Sequence, residues 1–187
     1  MPYFTVFTPT FNRAYILPQL YHSLCEQSCK DFEWLIVDDG SSDQTGELIA
    51  RWKERENGFV IRCYQIPNGG KPRAINFGIT KASGKFFFMV DSDDHLTVDA
   101  IEKMRVWCKE IETAPEVIGV GAARGYPDGR YLKGTPPRTN QHGYVDATNL
   151  ERSKYDLDAD MCEAYKTSMF RQFPMAEWPG EKFAPEQ

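Results

Sequence analysis

An α/β architecture, a mostly parallel sheet flanked by helices, is the fold this sequence predicts, and two observations predict it. Strand-like runs at 3–8, 33–38, 59–65, 85–90 and 117–122 alternate with helical patterns at 14–28, 43–55, 71–82 and 97–113, the signature of βαβ units. The runs Trp34-Leu35-Ile36-Val37 and Phe86-Phe87-Phe88-Met89-Val90 are apolar throughout, as strands buried on both faces are. At 187 residues the chain fits a single domain that buries roughly 70% of its unfolded surface. With 41% hydrophobic residues, 13% aromatic residues and a formal charge of −5, it is neither a general nucleic-acid binder nor a disordered chain.

The elements follow in order. Tyr3 to Thr8 already reads as a strand, which argues against a cleaved leader. The first helix shows its buried face in Leu17, Leu20, Tyr21, Leu24 and Cys25, the second in Leu48, Ile49 and Trp52, the fourth in Ile101, Met104, Cys108 and Ile111. Asp43 and Thr97 are expected as N-caps, and Ser83-Gly84 and Pro115 as ends. Past residue 123 the pattern changes: Pro127-Asp128-Gly129 is a hairpin turn, 133–150 is an irregular segment rich in Gly, Pro, Thr and Asn, and Met161 to Phe170 reads as a further strand. Long irregular segments in compact domains are commonly functional, so 133–150 is expected to be an acceptor-side flap. No apolar run approaches the ~20 residues of a membrane span. The five cysteines are scattered and odd in number, favouring reduced thiols in a cytoplasmic protein.

In an open parallel sheet, ligands bind outside the carboxyl ends of the strands. The turns there are Thr8-Pro9-Thr10-Phe11-Asn12-Arg13, Asp38-Asp39-Gly40-Ser41-Ser42-Asp43, Pro67-Asn68-Gly69-Gly70-Lys71-Pro72-Arg73 and Asp91-Ser92-Asp93-Asp94. The last places three carboxylates within four positions after an apolar strand, more than capping requires and suited to Mg²⁺ or Mn²⁺ shared with a phosphate. Asp38-Asp39 serves either as turn and cap or as a carboxylate that accepts hydrogen bonds from a nucleobase or ribose. Gly69-Gly70-Lys71 opens a helix whose amides and dipole favour phosphate, with Lys71 and Arg73 adding charge, or it is a solvated turn with surface cations. Glu181 and Glu186, set among aromatic and turn residues, read either as a carboxylate of raised pKa acting as general base or, as position alone favours, as surface acidity near a frayed terminus. His95, adjacent to the carboxylates, reads as a structural histidine, and His22 and His142 lack a recognisable ligand partner. Gly119-Val120-Gly121 is not a dinucleotide fingerprint, because Arg124 stands where a small residue is needed.

Taken in order, these motifs resemble the family 2 inverting glycosyltransferases of GT-A fold. The matching stretches are Thr8 to Arg13, Ile36 to Asp43, Asn68-Gly69-Gly70 with Ala74 to Ile79, Ala82-Ser83-Gly84-Lys85, and Val90-Asp91-Ser92-Asp93-Asp94. The resemblance implies a Rossmann-like sheet with a smaller antiparallel hairpin region, residues 1–115 forming the nucleotide-sugar part and 116–187 the acceptor side. It implies that Thr8, Pro9, Thr10, Asn12, Arg13, Asp39, Gly70, Lys71, Arg73, Asn76, Asp91 and Ser92 bind the nucleotide-sugar. Asp93, with Asp91, would hold Mn²⁺ or Mg²⁺, and Glu186, with Glu181 as the alternative, would be the base. The family carries a Trp-containing helix after that base, so a truncated domain is expected at Gln187.

The implied activity is inverting transfer from a nucleotide-sugar, UDP-linked in the first instance, to a hydroxyl of a glycan or lipid-linked glycan. Polysaccharide or cell-surface glycan synthesis is the expected setting, in the cytoplasm or peripherally at the inner face of a membrane. Two rivals are a nucleotide-sugar-binding domain without turnover and, through Asp91-Ser92-Asp93, an Asp-nucleophile phosphatase. The latter places its motif near the N-terminus and expects Gly-Thr or a similar pair after its second Asp, whereas Asp94-His95 follows here.

Overall fold

In the computed structural model, residues 1–132, 135–141, 143–157, 159–178 and 180 are described. They fall into two compact units, residues 121–163 and the remainder. The strands are β1 (Phe4–Thr10), β2 (Phe32–Asp38), β3 (Val60–Gln65), β4 (Phe86–Met89), β5 (Gly119–Ala123) and β6 (Met161–Lys166). The helices are α1 (Leu17–Cys25), α2 (Thr45–Lys53), α3 (Lys71–Lys81), α4 (Ala100–Ile111) and the short α5 (Thr167–Phe170). The sheet order is β3-β2-β1-β4-β6-β5. β1 to β4 run parallel to one another, and β6 lies antiparallel to β4. This is the α/β class expected, and the order switches direction at β1, where crossovers to opposite sides open a crevice at the carboxyl ends.

β2 is buried along its whole length, and Phe86, Phe87 and Phe88 of β4 are fully buried. On one sheet face Phe7, Leu35, Val37 and Phe87 pack against Ala74, Ile75 and Ile79 of α3. The approach is close enough that a Cβ on Gly78 would stand 2.2 Å from the Phe7 ring, so only glycine fits there. On the other face Trp34 stacks with Tyr21 of α1 and Trp52 of α2.

The structure corrects several boundaries. α1 begins at Leu17, after a turn in which the amides of Ile16 and Leu17 bond to the Arg13 carbonyl. Thr97 does not cap α4. Instead Gln27, buried and 74 residues away, accepts the Ile101 amide on its Oε1 at 3.0 Å. Asp43 is not the N-cap of α2 either: that position is Gln44, whose side chain makes no capping bond, while Asp43 one residue earlier accepts the Thr45 amide (3.0 Å) and hydroxyl (2.6 Å). The last strand stops at Lys166, because the Thr167 hydroxyl turns to the Gly84 carbonyl (2.7 Å) and starts α5.

Within the smaller unit, the turn at Pro127-Asp128-Gly129 is a hairpin as expected: Tyr126 donates to the Arg130 carbonyl at 2.8 Å and Gly125 bridges Tyr131. A 3₁₀ helix at Asn149–Tyr155 interrupts the expected irregular stretch at its end, started by a Thr148–Glu151 capping box. The five cysteines form no disulfide among the described residues.

Candidate active site

Four turns at the carboxyl ends of β1 to β4 converge, and parallel register explains why. Thr10 of β1 pairs with Asp38 of β2, which pairs with Gln65 of β3, while Phe7 pairs with Met89 of β4. Each strand therefore delivers its polar turn to the same sheet edge.

The β1 and β2 turns are stitched together. Asn12, held at a φ of 53°, accepts the Ser42 (2.8 Å) and Asp43 (3.2 Å) amides on its Oδ1, and its own amide donates to the Ser41 hydroxyl (2.8 Å). Asp38 accepts the Ser41 amide at 2.8 Å. Thr8 is fully buried and its hydroxyl accepts the Trp34 indole N–H at 3.0 Å, so it stiffens the wall from behind. Thr10 is also buried, and its Oγ1 has no hydrogen-bond partner among the described residues.

Asp39 is buried and its carboxylate is heavily engaged. Oδ1 accepts the Gly69 amide (2.8 Å), and Oδ2 accepts the Gly70 amide (2.8 Å) and the Asn68 side chain (3.1 Å). The amides expected to favour phosphate at the head of α3 thus end on an internal carboxylate. Gly70 itself sits at a φ of +94°, a conformation that strains residues with a Cβ.

Charge is paired across the cleft. Lys71 Nζ lies 2.7 Å from Asp91 Oδ1, and Arg13 lies 3.8 Å from Asp93 Oδ2. Gln19 donates to the Asp93 carbonyl at 2.9 Å, tying α1 to the β4 turn. Ser92 is buried between the two carboxylates. Among the described residues no three His, Cys, Asp or Glu side chains come together as a metal cage. The all-oxygen pair Asp91 and Asp93 fits Mg²⁺ or Mn²⁺ of the kind completed by phosphate oxygens and water. Such an ion would be held by Asp93 and Asp91.

Arg73 and Asn76 lie one turn further along α3 and face a different segment. Asn76 accepts the Met175 amide (2.8 Å) and donates to the Met175 carbonyl (2.9 Å) and to Glu177 (2.6 Å). Arg73 lies 3.6 Å from Glu177. Asn76 and Glu177 border a cavity of about 750 Å³ that also meets Ile79, Thr80 and Arg171. Glu177 was missed from the sequence, since a lone acid in a Pro-rich stretch carries no signal of the helix it will meet. Glu181 and Glu186 lie outside the described residues.

Comparison with known proteins adds an independent line. Residues 5–175 match the profile of the family described as Glycosyl transferase family 2. The chain is 36% identical over 108 residues to the GalNAc(5)-diNAcBac-PP-undecaprenol beta-1,3-glucosyltransferase of Campylobacter jejuni, covering 56% of this chain and 34% of that protein. It is 30% identical over 141 residues to the poly(ribitol-phosphate) beta-N-acetylglucosaminyltransferase TarS of Staphylococcus aureus, covering 73% of this chain and 24% of that one. The chain therefore spans about a quarter to a third of the length of these relatives.

Among solved structures, S. aureus TarS in complex with UDP-GlcNAc superposes with a TM-score of 0.72 at 23% identity, covering 95% of this chain and 49% of that chain. The mannosyltransferase PcManGT of Pyrobaculum calidifontis, in complex with GDP-Man and Mn²⁺, gives 0.66 at 21% identity, covering 94% of this chain and 48% of that chain. These likenesses establish the shared fold.

Proposed function

The chain belongs to glycosyl transferase family 2, and from that premise we propose that it moves a sugar from a nucleotide-sugar, a UDP-sugar in the first instance, to an acceptor hydroxyl with inversion. The observation that carries this reading is the paired charge at one sheet edge, Lys71 with Asp91 and Arg13 with Asp93. A nucleoside diphosphate with its cation brings phosphates for the lysine and arginine and a metal for the two carboxylates, so every charge in the cleft keeps a partner. Family membership sets aside the phosphatase reading.

In this proposal the base and ribose lie against Pro9, Thr10, Asp39 and Ser92, with the unsatisfied Thr10 hydroxyl available to them, while Thr8 and Asn12 shape the wall and Gly70 the turn. Lys71, Arg73 and Arg13 attract the diphosphate. When bound by Asp93 and Asp91, Mn²⁺ or Mg²⁺ supplies charge neutralisation for the leaving diphosphate. Asn76 braces the 175–177 segment beside Arg73. Glu186, or Glu181 in its stead, accepts the acceptor proton as the new C–O bond forms at the anomeric carbon and the bond to the diphosphate breaks, a single displacement that inverts the centre.

The acceptor in this reading is a glycan or lipid-linked glycan, in polysaccharide or cell-surface glycan synthesis, which the undecaprenol-linked acceptor named for the Campylobacter relative supports. No helix among the described residues is long and apolar enough to cross a membrane. In this reading the protein works in the cytoplasm, with peripheral contact at the inner membrane face.

A thermal-shift panel of nucleotide-sugars and nucleoside diphosphates, with and without Mn²⁺, tests it. UDP with Mn²⁺ should raise the melting temperature, and Asp93→Asn should abolish the Mn²⁺-dependent part. An unchanged Asp93→Asn response would remove the metal assignment, and a shift without any product from the complete protein would favour a donor-binding domain.

A further inference from the structure

Beyond a contact with the base, we propose that Asp39 is a positioning residue for Lys71; the inference rests on the reading of the cleft as a nucleotide-sugar site. The carboxylate is buried and accepts three hydrogen bonds from the β3–α3 turn, two from consecutive amides at 2.8 Å and one from Asn68 at 3.1 Å. Asn68 also donates to the Asp39 carbonyl at 2.9 Å, and the Asp39 amide donates to the Thr10 carbonyl at 2.8 Å. One residue thus clamps the ends of β1 and β2 to the head of α3.

Consecutive amides at the head of a helix are the kind of concavity that takes a phosphate. Here Asp39 fills it, so the amides of Gly69 and Gly70 hold an internal anion and a diphosphate must be met by side chains. The nearest is Lys71, the next residue, whose Nζ reaches 2.7 Å from Asp91. Its backbone position is set by the Gly70 peptide, whose N–H ends on Asp39 and whose φ of +94° leaves no other residue type at ease.

Asparagine at position 39 would turn an NH₂ toward one of these N–H groups, since it keeps only one acceptor oxygen. The turn would then shift and carry Lys71 with it. A base contact works by a different route, because it does not pass through Lys71.

A double-mutant cycle on UDP binding in the presence of Mn²⁺, read by calorimetry on the purified chain, separates the two routes. Asp39→Asn alone should weaken UDP about tenfold, whereas in the Lys71→Ala background the same change should cost less than about threefold. Losses that multiply would overturn the positioning role and leave the cleft reading standing. A wild-type chain that binds no nucleoside diphosphate would overturn the cleft reading itself. Should Asp39→Asn fail to fold, Asn68→Ala goes through the same cycle, since it removes one donor to the same carboxylate. Coupling with Lys71→Ala is again expected, and multiplying losses again overturn the role.

Discussion

Replacing Glu33 by glutamine should destabilise the fold while leaving donor binding intact, and the structure sets the magnitude. Glu33 sits at the amino end of β2, only 4% exposed. Its Oε1 accepts the Thr5 hydroxyl (2.6 Å) and the Ser83 amide (2.8 Å), and its Oε2 accepts Arg62 at 2.9 Å. Glutamine can keep the first two bonds on its carbonyl oxygen but presents an NH₂ to the guanidinium. Breaking a fully buried pair costs about 3–5 kcal/mol. Arg62 keeps 29% of its side chain in solvent, so about 2–3 kcal/mol is expected here.

For a chain of this length that is roughly 5–10 °C in melting temperature. Burial alone would raise the Glu33 pKa, but the hydrogen bonds from Thr5, Ser83 and Arg62 outweigh it and hold the carboxyl below its ordinary value of 4.5. A depressed folded pKa means that this stability is present above about pH 4.5 and is lost as pH falls through the folded value. Thermal melts between pH 7 and pH 3 should show the wild type approaching the variant at the acid end. Glu33 and Asp38 are the second and last residues of the seven-residue β2, roughly 16 Å apart along the strand, so UDP affinity at pH 7 should be unchanged. A variant within about 0.5 kcal/mol of wild type, or one that keeps the wild-type acid slope, would refute the assignment.

Two further outcomes follow from the packing. Gln27→Ala removes the cap on Ile101 and the donor to the Ser23 (2.9 Å) and Thr97 (2.8 Å) carbonyls, and should cost about 2 kcal/mol in urea melts at unchanged m-value. Burial, helped by the Asp38 charge, pushes the Cys63 thiol up to about 11, and burial, helped by Glu112, pushes Cys108 up to about 12. At pH 8 Cys63 should react with iodoacetamide roughly a hundredfold, and Cys108 roughly a thousandfold, more slowly than an ordinary thiol, and both should regain reactivity in urea, as mass spectrometry would show. Rapid labelling of Cys108 in the folded protein would contradict its burial.

The fold was legible because its signals are local. Continuous apolar runs marked β2 and β4, helical spacing marked α1, α2 and α4, and Pro127-Asp128-Gly129 announced its hairpin. Helix-start contacts were legible only when they were near in sequence: Asp43 accepts the first amide of α2 from two residues away, whereas Gln27 reaches α4 across 74 residues and no sequence pattern connects them. The motif turns were found in the right places for the same reason, since strand ends in a parallel sheet must converge.

By itself, then, the sequence determined the strand and helix order, the sheet edge where polar turns gather, and the resemblance that the family match bore out. Tertiary structure alone decided partnership: Lys71 with Asp91, Arg13 with Asp93, Asn76 with Met175 and Glu177, and Asp39 with the amides at the head of α3. Hydrogen bonds and ion pairs depend on distances of about 3 Å between groups tens of residues apart. Periodicity along a chain fixes which way a residue faces, and only the assembled sheet fixes what it meets.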